Sequence, residues 1–362
     1  MGPLAEDLAV NLLAMAGTLG RLALARATGG RRPFALYFIV TERCPNTCGY
    51  CGYRDSVGNR DLMSSEMTLE AIRPILAEAG AMGCRKVHLT GGEPLARSDI
   101  GAIADAARDA GMFVGISTSG VGLPARIDAL GAVELAFVSL DGPAEVHNAG
   151  RGKADFAAAV SAVEAFLARG KRVFTTTVLG RRNVGQIPFL LEFARAHGIL
   201  ANFVFLNSHA APDEKSHLPK TVALSSDLLS PEEMRQAIGT LLGLKRGGAP
   251  IGSTAPYFEY LESWPDYAVP YREGTHAGLD CSAGRFYAYL FPDGRLYPCG
   301  DLYWRMEPRD AKALGFRRAF ETLPPIPCRS CRTGCYIEQN LVFGMDPRAG
   351  MNWLSLKIKG QW

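Results

Sequence analysis

Three cysteines lie within eight residues of one another, at Cys44, Cys48 and Cys51. Iron–sulfur clusters are held by cysteine thiolates, and clusters that serve electron transfer normally use four of them. Three thiolates at this spacing leave one corner of a cubic cluster without a protein ligand, and an open position on a metal is where a small molecule can bind and react. A closed zinc site is the alternative, but its fourth ligand would have to be Cys84 or His88, beyond a predicted helix.

Two strand-like runs position this chemistry. Residues 34–40 lead directly into Cys44, and residues 86–90 end in the Gly-Gly-Glu-Pro turn at 91–94. At these positions the chain resembles the radical S-adenosylmethionine (SAM) superfamily. The superfamily's CX3CXΦC motif, in which Φ is aromatic, is matched by Cys44, Cys48, Tyr50 and Cys51, and its GGEP motif is matched residue for residue.

The resemblance implies a catalytic cycle. SAM would chelate the open iron of a three-cysteine 4Fe–4S cluster, and an electron from a flavodoxin- or ferredoxin-type donor would cleave it reductively. The 5′-deoxyadenosyl radical formed in this way would then abstract a hydrogen atom from a substrate. A non-catalytic iron–sulfur carrier is the rival hypothesis, although a carrier has no need for a vacant iron.

The resemblance also implies which residues bind SAM. Glycines at 91 and 92 allow close backbone approach, Glu93 is an acceptor, and Tyr50 would lie along the adenine. Ser139 and Arg151 match the SLDGP…HxxxR segment of the SPASM/twitch branch, and an Arg fork suits a carboxylate. Ser117 and Ser119 stand where relatives often carry Thr-Asn-Gly, so their role is open, and so is that of His147, a structural residue or an acid.

A second group of cysteines follows near the C-terminus, at Cys281, Cys299, Cys328, Cys331 and Cys335. An Asp-Gly turn between two runs of alternating pattern predicts a β-hairpin over 287–299. The spacing of Cys281, Gly294 and Cys299 resembles the opening of the SPASM/twitch pattern, which implies one auxiliary 4Fe–4S cluster. Five cysteines leave open which four bind it, and a zinc ribbon is the alternative. Cys84 stands apart and is predicted to be a small buried apolar residue.

Composition limits the class of protein. The chain has 362 residues, of which 48% are hydrophobic, and its net charge is only +3, which gives no electrostatic signature for nucleic acid. The cysteines cluster instead of spreading as disulfides would, which is typical of metal binding in a reducing compartment, so a cytoplasmic location is expected.

Residues 4–25 form a separate predicted helix with a wide apolar face and a following group of arginines. It could lie on a membrane surface, pack across a barrel, or form a dimer contact. No stretch is long and apolar enough for a spanning helix.

Strands and helices alternate from residue 34 to about 206, which predicts a parallel sheet with right-handed crossovers. Six such units suggest an incomplete TIM-like (β/α)6 barrel, with chemistry at the carboxyl ends of the strands. The predicted strands are 34–40, 86–90, 112–117, 135–140, 172–178 and 201–206. The predicted helices are 68–82, 98–110, 123–131, 153–170, 185–197 and 231–246, the last with Ser230 as its cap. Residues 208–230 and 247–280 are expected to be irregular.

These patterns predict four regions: an amphipathic helix (1–33), a radical SAM barrel (34–230), a connecting segment (231–280) and an auxiliary-cluster domain (281–362). The auxiliary cluster would accept one electron from the substrate radical, which gives a net oxidation. About 33 residues precede the first strand, which is short for a leader-binding domain. This favours a small molecule, sugar or lipid as substrate, with peptide oxidation or cross-linking as the alternative. The candidate substrate-side groups are Tyr53, Arg54, Tyr287, Tyr289 and Asp301.

Overall fold

The computed structural model describes residues 17–51, 58, 60–152, 155–207 and 225–358. Its strands are β1 (Ala35–Thr41), β2 (Lys86–Gly91), β3 (Phe113–Thr118), β4 (Leu135–Ser139), β5 (Arg172–Leu179), β6 (Leu200–Phe205), β7 (Tyr271–Arg272), β8 (Tyr287–Leu290), β9 (Arg295–Tyr297), β10 (Arg309–Asp310) and β11 (Ser330–Cys331). Within the described ranges, no helix is long and apolar enough to cross a membrane.

The helices connect these strands. They are α1 (17–27), α2 (Arg60–Ser65), α3 (Leu69–Ala81), α4 (Ile100–Asp109), α5 (Ala144–Arg151), α6 (Asp155–Ala168), α7 (Ile187–Ala196), α8 (Pro231–Arg246), α9 (Ala255–Glu262), α10 (Ala311–Leu314), α11 (Phe316–Glu321), α12 (Gly334–Phe343) and α13 (Pro347–Ile358).

The predicted six-stranded parallel sheet is confirmed. Strands β1 to β6 pair in sequence order, each parallel to the next. β1 is buried along its whole length, which is typical of a strand in a sheet covered on both faces. Loops that follow these strands therefore meet at one end of the sheet, and the loop with the first three cysteines is among them.

The C-terminal segment extends the same sheet on its other side. β8 pairs with β1 in parallel, and β9 and β10 follow it in antiparallel order. The predicted hairpin is thus confirmed as β8–β9, with Gly294 at a φ of 91° in its turn. α12 packs against β6 at the opposite edge of the sheet, so the C-terminal segment touches both edges of the partial barrel.

Local signals explain both the successes and the errors of the helix predictions. α8 begins with a capping box between Ser230 and Glu233, as the Ser-Pro start predicted. The helix predicted at 123–131 is wrong: two 3₁₀ turns stand there, separated at Arg126, whose φ of −126° is not helical. Residues 247–280 were expected to be irregular, but they contain α9, which is capped by the Thr254 side chain.

The described part of the N-terminal helix packs on the protein. Leu22 and Ala25 are buried in the same apolar cluster as Phe34 and Phe286, and the Arg26 guanidinium donates to the carbonyl of Phe343 at 2.8 Å. This contact fits the packing interpretation of α1. Residues 4–16 of the predicted helix lie outside the described residues, and membrane contact stays a prediction, as do the four region boundaries.

Candidate functional site

The first cysteine loop follows β1 directly. Cys44 and Cys48 are buried and Cys51 is partly exposed, and the Cys51 amide donates to the Cys48 carbonyl at 3.1 Å. Burial, with smaller contributions from the neighbouring thiols, raises the pKa of the Cys44 thiol to about 12 and that of Cys48 to about 11. Three thiols that resist ionisation together are a good fit for a cationic iron cluster, because bound metal supplies the positive charge that thiolates need.

Two glycines let β2 end against this loop. A Cβ atom on Gly91 would lie 2.2 Å from the Thr41 carbonyl oxygen, and one on Gly92 would lie 2.3 Å from that of Arg43. The φ of Gly91 is 138°, a conformation that side-chain-bearing residues rarely adopt. The amides of Gly92 and Glu93 donate to the same two carbonyls at 2.8 Å. The two glycines therefore let the backbone at the end of β2 pack closely against the cysteine loop, the close approach that the sequence predicted.

Glu93 fastens the ends of two strands together. Its carboxylate accepts hydrogen bonds from the Thr118 hydroxyl and from the amide and hydroxyl of Ser119, each at 2.7 Å. It also accepts from the Leu95 amide at 3.2 Å. Burial raises its pKa, although these hydrogen bonds oppose the shift. Ser119 thus lies beside the GGEP turn, whereas the Ser117 hydroxyl is bonded to His88 Nε2 at 2.7 Å, inside the barrel.

The loop after β4 is centred on a buried ion pair. Arg151 Nε donates to Asp141 Oδ2 at 2.9 Å, and both side chains are nearly inaccessible. The Tyr50 hydroxyl donates to the same oxygen at 3.3 Å, while the Arg182 guanidinium covers the Tyr50 ring. Arg151 also holds the cysteine loop, because its carbonyl accepts from the Thr47 amide at 3.1 Å. Arg151 is therefore part of the site and not a solvated loop charge.

Two other predicted residues of this segment are His147 and Ser139. His147 is buried, and its Nδ1 accepts from the Asp141 amide at 3.1 Å. Burial lowers its pKa to about 4, so the ring is neutral at physiological pH and holds the loop. Ser139 ends β4, in register with Thr176 of β5, and is partly exposed.

The C-terminal cysteines form a second site with four members. Cys281, Cys299, Cys328 and Cys331 line one cavity of about 20 Å³. Burial raises the pKa of each of these thiols, that of Cys328 to about 12. Four thiols around one small cavity are a donor set of the kind that holds an iron–sulfur cluster. Within the described ranges, no three Cys, His, Asp or Glu side chains are grouped closely enough to hold a single metal ion.

Cys335 lies elsewhere. Its side chain lines a larger cavity of about 180 Å³ inside the barrel, and it is exposed. Cys331 lies in β11, before α12, whereas Cys335 lies in the first turn of α12. The sequence could not separate Cys335 from the other four, because the direction of its side chain depends on how α12 packs.

The barrel cavity gathers inward-facing residues from every parallel strand. Its polar lining includes Lys86, His88, Ser117, Asn202 and Glu338. Burial lowers the pKa of Lys86 to about 8 and that of His88 to about 3, and burial raises the pKa of Glu338 to about 7. Sequence reasoning assigned no role in this cavity to Lys86, His88 or Glu338. The alternation of polar Lys86 and His88 with apolar neighbours along β2 was the available signal, since residues two apart share a face.

Of the predicted substrate-side groups, Asp301 lines the cysteine cavity and two tyrosines contact residues of the cavities. The Tyr287 hydroxyl lies 3.6 Å from Cys281 Sγ, and the Tyr289 ring stacks on Tyr37, a residue of the barrel cavity. Asp301 lines the cysteine cavity, where it accepts from the hydroxyls of Thr333 at 2.8 Å and Tyr336 at 3.2 Å. The other two candidates, Tyr53 and Arg54, lie outside the described residues.

An open parallel barrel with a three-thiol loop and a Gly-Gly-Glu turn at its strand ends defines a class of iron–sulfur proteins, and comparison with known proteins agrees. The model of the radical SAM superfamily matches residues 38–194. A curated PqqA peptide cyclase from Methylobacterium sp. (strain 4-46) is 28% identical over 371 residues, which cover 90% of this chain and 88% of that protein. Another, from Ruegeria pomeroyi, is 29% identical over 276 residues, 74% of this chain and 67% of that protein.

Solved structures share the fold. SuiB of Streptococcus suis bound to S-adenosylmethionine superposes with a TM-score of 0.62 at 16% identity, over 83% of this chain and 69% of that one. The enzyme anSMEcpe with bound AdoMet gives a TM-score of 0.58 at 18% identity, over 80% and 81% of the two chains.

The chain is an enzyme that carries a radical SAM domain over residues 38–194. The superfamily uses a 4Fe–4S cluster with SAM, and SPASM relatives carry auxiliary clusters. The iron–sulfur carrier hypothesis is therefore set aside.

Proposed function

We propose that this enzyme oxidises or cross-links a peptide. The observation that carries the proposal is the match to PqqA peptide cyclases over 90% of the chain. Structures of the same fold were solved with the precursor peptide SuiA in SuiB and with a Kp18Cys peptide in anSMEcpe. This replaces the expectation of a small molecule, sugar or lipid, which rested on the few residues before the first strand.

In this proposal the two cysteine sites hold different clusters. Cys44, Cys48 and Cys51 hold the SAM cluster, and Cys281, Cys299, Cys328 and Cys331 hold one auxiliary 4Fe–4S cluster. When bound, the cluster and SAM supply a radical that removes a hydrogen atom from the substrate. A flavodoxin- or ferredoxin-type protein is the proposed electron donor.

The chain's own residues position these groups. Gly91 and Gly92 bring the β2 end against the cysteine loop, and Glu93 holds Ser119 at the next strand end. Tyr50 and Arg151 are fixed by their shared contact with Asp141. We assign these residues, with Ser139, to the SAM pocket. Ser117 is better assigned to the barrel cavity, because its hydroxyl is bonded to His88 there.

The barrel cavity is the proposed place for the substrate. Its volume of about 180 Å³ is below the roughly 300–1,000 Å³ of pockets that enclose whole ligands, so the cavity would take a substrate side chain and not a whole peptide. Ser117 lines it two residues before Ser119, which contacts Glu93. A substrate side chain in the cavity would therefore lie beside the SAM pocket.

A direct experiment uses anaerobically reconstituted enzyme with dithionite, SAM and synthetic PqqA peptide. We expect 5′-deoxyadenosine and a peptide lighter by two hydrogen atoms, both measured by mass spectrometry. The triple variant Cys44→Ala/Cys48→Ala/Cys51→Ala should form neither product. An unchanged peptide together with 5′-deoxyadenosine formation that the peptide does not accelerate would contradict a PqqA-like substrate.

A further inference from the structure

The barrel cavity and the cysteine cavity share a wall, the first turns of α12. Thr333 and Tyr336 line the cysteine cavity, whereas Cys335 and Glu338 line the barrel cavity. Neighbouring residues of one helix thus face two different chambers. The wall between the proposed substrate and the proposed auxiliary cluster is one helix wide, about 10 Å with its side chains.

Glu338 is the carboxylate in the lining of the barrel cavity. Its Oε1 accepts from the Thr254 amide at 2.7 Å and its Oε2 accepts from the Thr254 hydroxyl at 3.1 Å. Thr254 is fully buried and caps α9, so the carboxylate is held in one position. An ionised carboxylate has about four acceptor positions on its two oxygens, so these two hydrogen bonds leave room for a proton from a substrate.

We propose that Glu338 accepts the proton released when the substrate is oxidised. The inference rests on the proposed function, in which the SAM-derived radical first removes a hydrogen atom from a substrate carbon. The auxiliary iron–sulfur cluster, when bound, would take up the one electron that the substrate carbon loses. A proton leaves the substrate's O–H or N–H group for Glu338, and the carbon forms a new bond to that oxygen or nitrogen.

The charges around Glu338 suit this role. Burial raises the pKa of Glu338 to about 7. The hydrogen bonds from Thr254 oppose that rise, and the charge of Lys245 in α8 opposes it less. Tyr257 of α9 faces it with a phenol whose pKa burial raises well above the usual value. Lys86, His88 and Cys335 line the same cavity. An acceptor with a pKa near the operating pH is the most effective general base.

The same geometry separates Cys335 from the cluster ligands. Its thiol faces the cavity of Glu338, and the other four cysteines line the chamber behind the helix. In this arrangement Cys335 contacts substrate and contributes no bond to the auxiliary cluster. Cys335→Ala should retain the full iron content, whereas Cys331→Ala should lose about four irons.

The decisive experiment compares Glu338→Gln with Thr254→Val in the reconstituted holoenzyme with PqqA peptide. The glutamine amide keeps both contacts to Thr254 but cannot accept a proton at neutral pH. We expect the yield of modified peptide per 5′-deoxyadenosine to fall by about 100-fold or more, the usual size of a general-base contribution. Thr254→Val removes one of the contacts but keeps the carboxylate, so its peptide product should fall far less.

Two further readouts separate this role from a structural one. The yield of modified peptide per 5′-deoxyadenosine should rise with pH through about 7 in wild type and be flat in Glu338→Gln. Infrared difference spectra of the holoenzyme should show a carboxyl band that titrates near pH 7 and is missing from the variant. Full product yield in Glu338→Gln, or an unchanged infrared titration, would overturn the proposal. A wild-type enzyme that leaves the peptide unmodified would instead count against the proposed function, and the infrared titration would still decide the state of Glu338.

Discussion

The two cysteine regions are built in opposite ways. The first three cysteines come from one loop, and short backbone hydrogen bonds within that loop and to the ends of β2 and α5 hold it. The four thiols of the cysteine cavity come from separate segments: Cys281 precedes the β8–β9 hairpin, Cys299 follows it, Cys328 precedes β11 and Cys331 lies in β11. The first site is therefore encoded locally, and the second exists only when the C-terminal segment has folded onto the sheet.

The difference explains what could be read from the sequence. A local loop has a readable spacing, so Cys44, Cys48 and Cys51 stand out in the order of the amino acids alone. In the C-terminal group, spacing alone left five candidates. Cys335 was separated from the others only by the packing of α12, which no local pattern records.

The largest expected effect tests the separation of the two sites. Cys48→Ala should abolish 5′-deoxyadenosine formation, because one of three thiolates is lost, but it should keep the iron of the C-terminal site. Cys331→Ala should lose about four irons and the peptide product, while slow SAM cleavage continues. Iron analysis and mass spectrometry of anaerobically purified protein measure both.

Cys48→Ala and Cys331→Ala form a matched pair, one in each cysteine site. Metal binding is coupled to folding where ligands come from distant segments. Cys331→Ala should therefore also increase protease sensitivity around β11, and Cys48→Ala should not. A variant that lost the iron of both sites would mean that the sites are not independent.

The second prediction concerns the ion pair beside the first cysteine loop. Arg151→Met leaves the buried Asp141 carboxylate with only the Tyr50 hydroxyl and a long contact to the Val178 amide. Removing one partner of a buried pair costs about 3–5 kcal/mol, which we expect as a loss in the free energy of unfolding measured by denaturant titration. SAM binding should weaken as well.

The double variant Asp141→Asn/Arg151→Met is the control for that prediction. It removes the uncompensated charge and should recover a large part of the lost stability. SAM binding should stay weak in the double variant if Arg151 contacts SAM. Full recovery of binding would assign Arg151 a purely structural role.

The third prediction uses pH to test the barrel cavity. Burial, followed by the charge of Lys86, lowers the pKa of His88 to about 3, whereas an unfolded histidine titrates near pH ~6.5. Between these values the unfolded chain binds more protons, so the free energy of unfolding falls as the pH decreases below about 6.5. Wild type should lose about 1 kcal/mol from this residue between about pH 6.5 and pH 5.5.

His88→Gln is the comparison protein for this test. It removes the titrating ring and keeps a group that can bond to the Ser117 hydroxyl, so its acid slope should be shallower by that amount. Denaturant midpoints followed by fluorescence under anaerobic conditions give the slope for both proteins. Equal slopes would show that His88 is not held neutral in the folded protein.

The fold was more predictable than the substrate chamber. The six parallel strands agree with the alternating pattern to within one or two residues, because each is a buried run bounded by turns. The Ser230 cap was also correct, since a capping box is a local device. α5 and α9 are eight residues each and were missed, because short helices depend on tertiary packing more than on propensity. The role of α12 as a wall between two cavities follows from contacts between distant segments.

The smallest expected effect comes from a substitution of Cys84, which belongs to neither cysteine site. It is fully buried in the main core, as predicted, and its thiol donates to the Lys86 carbonyl at 3.3 Å. Burial raises its pKa to about 12, the same value as for Cys44 and Cys328, so an elevated thiol pKa alone does not mark a cluster ligand. Cys84→Ala should cost about 1 kcal/mol of unfolding free energy for the lost sulfur volume and should leave the iron content of both sites intact. Loss of iron from this variant would mean that the grouping of the cysteines into a three-thiol loop and a four-thiol cavity is wrong.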